Sequence, residues 1–540
     1  MESRKSWLML AVILTAALLL RLHAINFGLP GLNDPDELMF ELGALRMLRT
    51  ATLNPGWFGH PATLTMYVLA VIDIIVYLAG LAVGMWSSVG QFAGAIYHDP
   101  GLIILPGRIM IALCAIATIV LTTALGTSMV NRRVGLLAGV LLAVNPVHVA
   151  YSQIVRSDMM GCVFMLACLL TAVRIARQNR RRDYVWAAFW LACAVACKWP
   201  FAITATAIIG AAQLATSEGV AKRGSVTANL LLFAALSIAF LAAIAPYLLI
   251  DWRTVMQNLH GEAQQAHLGA TGGTMLQNMG WYVRQPLEQA FGIAGLLLFA
   301  FGLFVARRTR ILLVILGLTG VAFFILISSQ NLVWERWALP VMPIMAIFAG
   351  LGLERLTVKI TQWTDRTKGA VVSAIILAVL CVPLASNALA SEQASLNDTR
   401  QRAAGWVRTH VPPGKTVFVE HFAFDLLPGH WKFLFPMGDA GCVDPRNFLS
   451  KRKGYSSIQQ ARGTRSIVDY GNIPAEKRHT CDADYALLSQ YMRYRDERGR
   501  FPAEYEAYQK LISSGKIVAT FEPKPGVSAG PAIVVVKFDN

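Results

Sequence analysis

Charge is scarce in this chain. Only 15% of its 540 residues are Asp, Glu, Lys or Arg, where a soluble protein carries about 25%, so an ordinary water-soluble globule is excluded. No P-loop, no G-x-G-x-x-G run and no other nucleotide signature occurs, which leaves chemistry on a bound nucleotide without support. Acids are scarcer than bases: 32 Asp and Glu stand against 48 Lys and Arg, for a net charge of +16. The basic residues sit in short loops between apolar runs, where membrane proteins collect them, rather than on a patch built for nucleic acid, and no nucleic-acid partner is expected. There is no internal repeat and no low-complexity linker. Six of the eight cysteines (Cys114, Cys162, Cys168, Cys193, Cys197, Cys381) lie inside apolar runs and read as small hydrophobes. Cys193 and Cys197 are four apart on one helix face, but no His or carboxylate joins them to make a metal site. No small-residue cleavage site follows the first apolar run, so the N-terminus does not read as a cleavable signal.

What is abundant is apolar sequence. Hydrophobic residues make up 55% of the chain and the mean hydropathy is +0.50. Apolar runs cover 7–25, 64–84, 103–129, 134–149, 158–173, 184–197, 200–215, 226–248, 288–306, 311–327, 338–353 and 370–388. A helix needs about 20 such residues to cross the hydrocarbon core, and the chain is expected to be a polytopic α-helical membrane protein. Basic clusters at Arg4-Lys5, Arg132-Arg133, Arg174 to Arg182, Lys222-Arg223, Arg307 to Arg310 and Arg355 to Lys368 mark the cytoplasmic loops. The loops 26–102, 149–157, 198–199, 249–287 and 328–337, and everything after 389, then face out. A full crossing by 64–84 would invert every later loop, and it would bury Asp73 in mid-bilayer at about 2.5–3.5 kcal/mol. The segment is therefore expected to lie along or dip into the outer leaflet. That leaves about eleven spans, N-terminus in and C-terminus out, with a twelfth crossing as the alternative. Residues 1–389 form the membrane domain.

From 390 to 540 the composition turns polar. "TVFVEHF", "KIVATF" and "AIVVVKF" alternate like strands; "DTRQRAAGWVRTH" and "AEYEAYQKLISS" read as amphipathic helices. A small extracytoplasmic α/β or α+β domain is expected. It holds Cys442 and Cys481, the only cysteines outside the membrane runs. In an oxidising compartment a bridge between them would remove roughly 4 kcal/mol of unfolded-state freedom; two separate free thiols are the alternative.

The outward loops gather the unusual polar residues. Just past the first span, "GLNDPDELMF" (31–40) supplies Asp34, Asp36 and Glu37. His60 follows in "FGHPAT", Arg108 opens the next span, and "SQIVRSDMM" brings Arg156 and Asp158. Lys198 ends "ACK", the 249–287 loop carries His260, Glu262 and His267, and "NLVWERWALP" gives Glu335 and Arg336. Singly, each has a plain explanation in snorkelling or the interfacial belt. Together they form a pocket with carboxylates to act as base and cations to hold a phosphate. A donor on the outer face must be lipid-borne. A sugar on a polyprenyl phosphate fits, because the leaving phosphate needs neutralising and a carboxylate can take the acceptor hydroxyl's proton.

At these residues the chain resembles the GT-C superfamily of integral-membrane glycosyltransferases, in the branch of the protein O-mannosyltransferases and the lipid A aminoarabinose transferases (glycosyltransferase family 39 type). The resemblance rests on Asp36-Glu37 followed by Phe40, on "HPATLTMY" (60–67), on "LPGRIMIAL" with Arg108, and on "LLAVNPVHVAYSQIVRSDMMGCVFMLACLL" with Arg156 and Asp158. It covers roughly 7–350 and, loosely, the tail. It implies that Asp36 is the catalytic base with Glu37 beside it, that Arg108, Arg156 and Lys198 touch donor phosphate or sugar, and that Asp158 orients them. His60 and Arg336 are further donor-binding candidates. It also implies a first loop of helices lying along the membrane. Ala62 stands where the family's second proline would be, and His60 where the aminoarabinose enzymes have Lys. His60, His260 and His267 are candidates for acceptor contact or, with Asp36, for a divalent metal; satisfied interfacial histidines are the other reading. No cofactor is otherwise implied.

The function expected is sugar transfer from a polyprenyl-phosphate-linked donor to a hydroxyl of a lipid, glycan or protein acceptor, with inversion, at the outer face of a bacterial inner membrane. A transporter or flippase for a lipid-linked anion would use the same cations without a base, and a scaffold whose tail binds a partner would need neither.

Overall fold

The computed structural model describes residues 2–363, 366–446, 455–463 and 467–539; the side chains of Arg4 and Lys5, and part of the Arg355–Lys368 basic cluster, lie outside it. In chain order the first half holds α1 (Glu2–Leu22), α2 (Pro35–Thr50), α3 (Thr63–Ala82), α4 (Val89–His98), α5 (Gly101–Met129), α6 (Arg132–Ala143), α7 (Pro146–Ala150), α8 (Ser157–Gln178), α9 (Arg181–Cys197) and α10 (Ala205–Ser217). There follow α11 (Arg223–Ile244), α12 (Tyr247–Ile250), α13 (Trp252–Glu262), α14 (Met275–Tyr282), α15 (Glu288–Ala306), α16 (Arg310–Leu312), α17 (Leu318–Ser328), α18 (Val341–Trp363) and α19 (Arg366–Leu396).

Each of the eleven apolar runs expected to span falls on helix. Among the described residues nine helices are long and apolar enough to cross a membrane. Eight of these are on the eleven runs and the ninth is α3, while the apolar part of α1 (Trp7–Leu22), α6 and α9 are shorter. Sequence chemistry sets the helix ends. Asn131 accepts from the Val134 N–H at 3.0 Å and starts α6 two residues after α5 stops, the usual work of an N-cap side chain. Small residues let the helices close up: Gly126 of α5 faces Gly135 of α6, and a Cβ on Gly302 of α15 would run into the Phe348 carbonyl of α18. Backbones approach this closely in membrane bundles only where side chains are minimal. Arg21, fully buried at the end of α1, donates to the Leu142 and Ala143 carbonyls that end α6 and to His148 of α7.

The helical hairpins set the ends. The ends of α1, α6 and α9 and the starts of α5 and α8 share one side of the bundle. Helix α3 lies across that side. Its N-terminal cap, Ala62, donates to the Cys197 carbonyl at the end of α9 at 3.0 Å, and Val76 and Tyr77 in its second half pack with Ile103 and Ile104 at the start of α5. The start of α3 and its Val76–Tyr77 segment thus both contact that side; by length and composition α3 is also among the nine helices that could cross a membrane.

The tail begins at α20 (Thr399–His410) after α19 runs past residue 389 to Leu396. Six strands follow: β1 (Thr416–Val419), β2 (Lys432–Pro436), β3 (Cys442–Val443), β4 (Tyr485–Leu488), β5 (Lys516–Phe521) and β6 (Ile533–Lys537). They form one sheet in the order β3-β2-β1-β4-β6-β5, parallel where β1 meets β2 and β4 and antiparallel elsewhere. Ala403, Ala404 and Val407 of α20 cover Val417, Val419 and Leu487 on one face. Ala507 and Tyr508 of the helix Pro502–Ser513 cover Phe418, Ala486 and Leu488 on the other. The expected strands and both amphipathic helices are present. Strands β2, β3 and β4 were not expected: β3 is only two residues long, and "KFLFP" and "YALL" lack the β-branched residues that mark a strand. Cys442 and Cys481 form a disulfide with Cα atoms 5.0 Å apart.

The tail docks on the first loop. Arg400 donates to the Asn33 carbonyl at 2.5 Å, and Gln401 and Asn33 exchange side-chain hydrogen bonds at 2.8 and 3.0 Å. Inside the tail, buried Glu420 accepts from the backbone N–H groups of Tyr470, Ser489 and Gln490 and from the Tyr508 hydroxyl. Removing that hydroxyl leaves the carboxyl one donor short in a dry site. Tyr508→Phe is expected to destabilise the tail by about 1–3 kcal/mol, read as faster hydrogen exchange over β1, β4 and β6 with exchange in α5 and α8 unchanged.

Candidate active site

The first loop enters α2 through a local signal. Asp34 caps the helix, accepting from the Asp36 N–H at 3.0 Å, with Pro35 in the first turn. Asp36 and Glu37 follow in that turn, where the helix dipole favours negative charge. Successive helix residues point about 100° apart, so the two acids cannot share a partner, and they do not. Glu37 is fully buried and grips Arg108 of α5 through two hydrogen bonds of 2.8 and 2.7 Å. Arg108 also donates to the carbonyls of Ile25 and Phe27, both at 2.8 Å, and its guanidinium lies 4.1 Å from the Phe27 ring centroid. Glu37 further accepts from the Val155 N–H at 3.0 Å. The pair lies beneath the site and fastens α2 to α5 and to the entry of α8.

Asp36 points the other way and keeps 43% of its side chain exposed. Arg156 joins it at 2.5 Å and holds Asp34 through its second terminal nitrogen at 3.0 and 2.9 Å. Lys198, where α9 ends, meets Asp158 in the first turn of α8 at 2.6 Å. Arg336 is buried over the Trp334 ring at 4.4 Å, its Nε has no hydrogen-bond partner, and it makes no ion pair among the described residues. These groups lie within one another's fields. Burial pushes the Asp36 carboxyl up, but Arg156 and Arg336 outweigh it and hold it below the ordinary carboxylate range. Burial, with Lys198 and Arg336 close by, drives the His60 imidazole down to about 3, so it is neutral, edge-on to Trp57. Burial and neighbouring Arg156 lower Arg336 from its usual value.

The second large loop closes over the first. Phe58 N–H donates to Asn258 Oδ1 at 2.8 Å, and Glu262 of α13 packs over Gly59, where burial and nearby Asp36 raise its carboxyl. His267 lies edge-on to Trp334 and burial lowers its ring below the ordinary histidine range. His260 turns away: it is exposed and bonds the Met256 carbonyl of its own helix at 2.7 Å. Among the described residues no three His, Cys, Asp or Glu side chains converge to hold a metal ion; the donors needed to complete a metal centre on Asp36 are not brought to it.

The structure therefore brings together Asp36, His60, Arg156, Asp158, Lys198 and Arg336, with His267 at the edge. Glu37 and Arg108 sit below the cluster and His260 outside it. Sequence reasoning counted Asp34 among the acids without a role; Asp-Pro at a helix start is a cap signal and could have supplied one. Tyr151, which donates to Glu335 at 3.4 Å beside Arg156 and Arg336, carried no signal.

The apolar helices, the helical first loop bearing the acids and the α/β tail make up a fold that resembles the GT-C integral-membrane glycosyltransferases. The chain also resembles the dolichyl-phosphate-mannose-protein mannosyltransferases, a family whose model matches residues 101–250. Among solved structures it is similar to ArnT from Cupriavidus metallidurans in the apo state, at 14% identity and a TM-score of 0.54 over 99% of this chain and 98% of that one. The same protein bound to undecaprenyl phosphate gives 13% and 0.50 over 98% and 97%. The archaeal oligosaccharyltransferase AglB from Archaeoglobus fulgidus, in complex with an inhibitory peptide and a dolichol-phosphate, gives 10% and 0.51 over 99% and 76%. At these identities the likeness is one of fold. No curated protein matches the chain.

Replacing Arg108 by Ala leaves Glu37 as a buried, unpaired acid, a loss of about 3–5 kcal/mol. The variant is expected to lose most of its monodisperse fraction on size-exclusion chromatography after extraction, whereas His60→Gln, which removes a neutral ring, leaves that fraction unchanged.

Proposed function

We propose that the protein transfers a sugar from a polyprenyl-phosphate-linked donor to an acceptor hydroxyl, at the outer face of a bacterial inner membrane, with Asp36 as general base. One observation carries the reading: a part-exposed, ionised carboxylate stands at the mouth of the first loop beside two cations, Arg156 and Arg336, of which Arg336 has no ion pair among the described residues. Arg336 is buried, and a buried guanidinium without an anion is costly; a donor phosphate would complete it. The undecaprenyl phosphate and dolichol-phosphate named for ArnT and AglB are ligands of that chemistry.

In this reading the acceptor oxygen attacks the anomeric carbon, the bond from that carbon to the phosphate oxygen breaks, and the phosphate leaves with the electron pair. Arg336, with Arg156 and Lys198 behind it, neutralises the charge that grows on the leaving group. The hydroxyl proton passes to Asp36. A carboxylate held below its usual pKa is ionised whenever substrate arrives, and it takes the proton only as bond formation acidifies the hydroxyl. A single displacement of this kind inverts the anomeric centre. Glu37 and Arg108 act by positioning α2. The charge asymmetry of the loops supports a cytoplasmic N-terminus, and the Cys442–Cys481 bridge supports a tail in an oxidising compartment.

The test is release of free polyprenyl phosphate from a polyprenyl-phosphate-linked sugar. Asp36→Asn is expected to slow it by about 10²–10⁴ with donor affinity within a few-fold; retention of more than half the activity would remove Asp36 as base. Arg336→Gln is expected to weaken donor binding by about 1.5–3 kcal/mol, the range for a charge-assisted contact. No change in donor affinity would take Arg336 out of the phosphate site.

The pH profile follows from the same groups. Asp36, with its pKa depressed, is active above that pKa and loses its charge only as pH falls through it. His60 is neutral far above about 3. Neither group titrates between pH 5 and 8, so a limb in that range that Asp36→Glu or His60→Gln shifts would contradict these assignments.

A further inference from the structure

Away from the acid cluster, α5, α8 and α9 enclose a cleft that the proposed reaction does not use. It has a volume of about 300 Å³ and is lined by Leu121 of α5, by Leu170, Thr171 and Arg174 of α8, and by Trp186 and Trp190 of α9. Arg174 lies sixteen residues after Asp158 on α8, so about 24 Å of helix separates the cleft from the site. Trp186 and Trp190 are stacked with centroids 6.0 Å apart, and Phe164 continues the stack 6.1 Å from Trp190. Trp186 stays 50% exposed. The result is a flat aromatic wall open on its outer side.

Arg174 stands at one end of this wall. It is exposed and makes no ion pair among the described residues. Arg177, Arg180, Arg181 and Arg182 surround the same end, all exposed, against the single acid Asp183, which is buried. One of these cations is already engaged, since Arg177 donates to the Ser128 carbonyl at 2.6 Å; Arg174 is not. An apolar cleft between spans that ends in unneutralised arginines has the two halves of a lipid: a slot for a chain and a counter-charge for a phosphate.

We infer that this cleft binds an anionic diacyl phospholipid of the leaflet remote from the acid cluster, with one acyl chain on the Trp186–Trp190 wall and the phosphate on Arg174. Nothing in the inference depends on the proposed transferase reaction. A zwitterionic phospholipid offers the same chains and a phosphate, but its own cation meets the arginine cluster, so charge decides between them.

Native mass spectrometry of the full chain in detergent tests it. With dioleoyl phosphatidylglycerol and dioleoyl phosphatidylcholine added in equal amounts, the protein is expected to retain one phosphatidylglycerol with at least a fivefold preference. Arg174→Gln and Trp186→Leu are each expected to lower that adduct at least fivefold. Arg308→Gln, which removes an exposed cation just past α15 at the same side of the bundle, leaves it unchanged. Trp186→Leu gives a second reading should Arg174→Gln fail to fold. Equal retention of the two lipids overturns the proposal. So does an equal loss in Arg308→Gln, which would mean diffuse surface charge, or displacement of phosphatidylglycerol by polyprenyl phosphate in a manner that needs Arg174, which would make this a carrier-lipid site.

Discussion

The paired hydrogen bonds between Glu37 and Arg108 hold the rest in place. Both side chains have no solvent exposure. Such a pair adds little net stability over an apolar contact, but it has direction. It fixes the rotation of α2 about its own axis, and that rotation sends Asp36 to the opening and Asp34 to Arg156. The Val155 N–H on the same carboxylate sets where α8 begins, and so where Asp158 can meet Lys198. One buried contact therefore sets the positions of four of the charges above it.

Around that contact the site is close to electrically balanced. Arg156 is shared by two carboxylates and Lys198 has one, leaving Arg336 as the cation with no ion pair among the described residues. The charges nearly cancel, but they are unevenly paired, and Arg336 marks the place where an added anion would be stabilised. The neutral state of His60 belongs to this arrangement: a protonated ring between Lys198 and Arg336 would repel both.

Much of this was legible in the sequence and some was not. The side on which the charges gather could be read because basic loops and acidic loops alternate along the chain. That residues 64–84 form a helix could be read from their apolar run; the expectation that this helix does not cross rests on Asp73 and on the charge of Arg132-Arg133 alone. The strands of the tail could be read where β-branched residues recur, as in β1, β5 and β6, and were hidden in β4, "YALL", which has none. The difference between Asp36 and Glu37 could not be read. Adjacent acids look alike in a string of letters, and only the partner across the fold, Arg108 or Arg156, tells the buried one from the exposed one. For the same reason Arg108 and Arg156, both single arginines at span entrances, turn out to hold different levels of the structure.

The hydrogen bonds between Asn33 and the pair Arg400 and Gln401 have a consequence for modularity. Asn33 immediately precedes Asp34, so the tail grips the chain one residue from the helix cap that presents the acids. The tail and the first loop are then a matched pair, like two halves of a hinge pin. A tail exchanged between related chains would have to bring its own 28–34 segment with it, and drift in one of the two is constrained by the other even though more than 360 residues separate them in sequence.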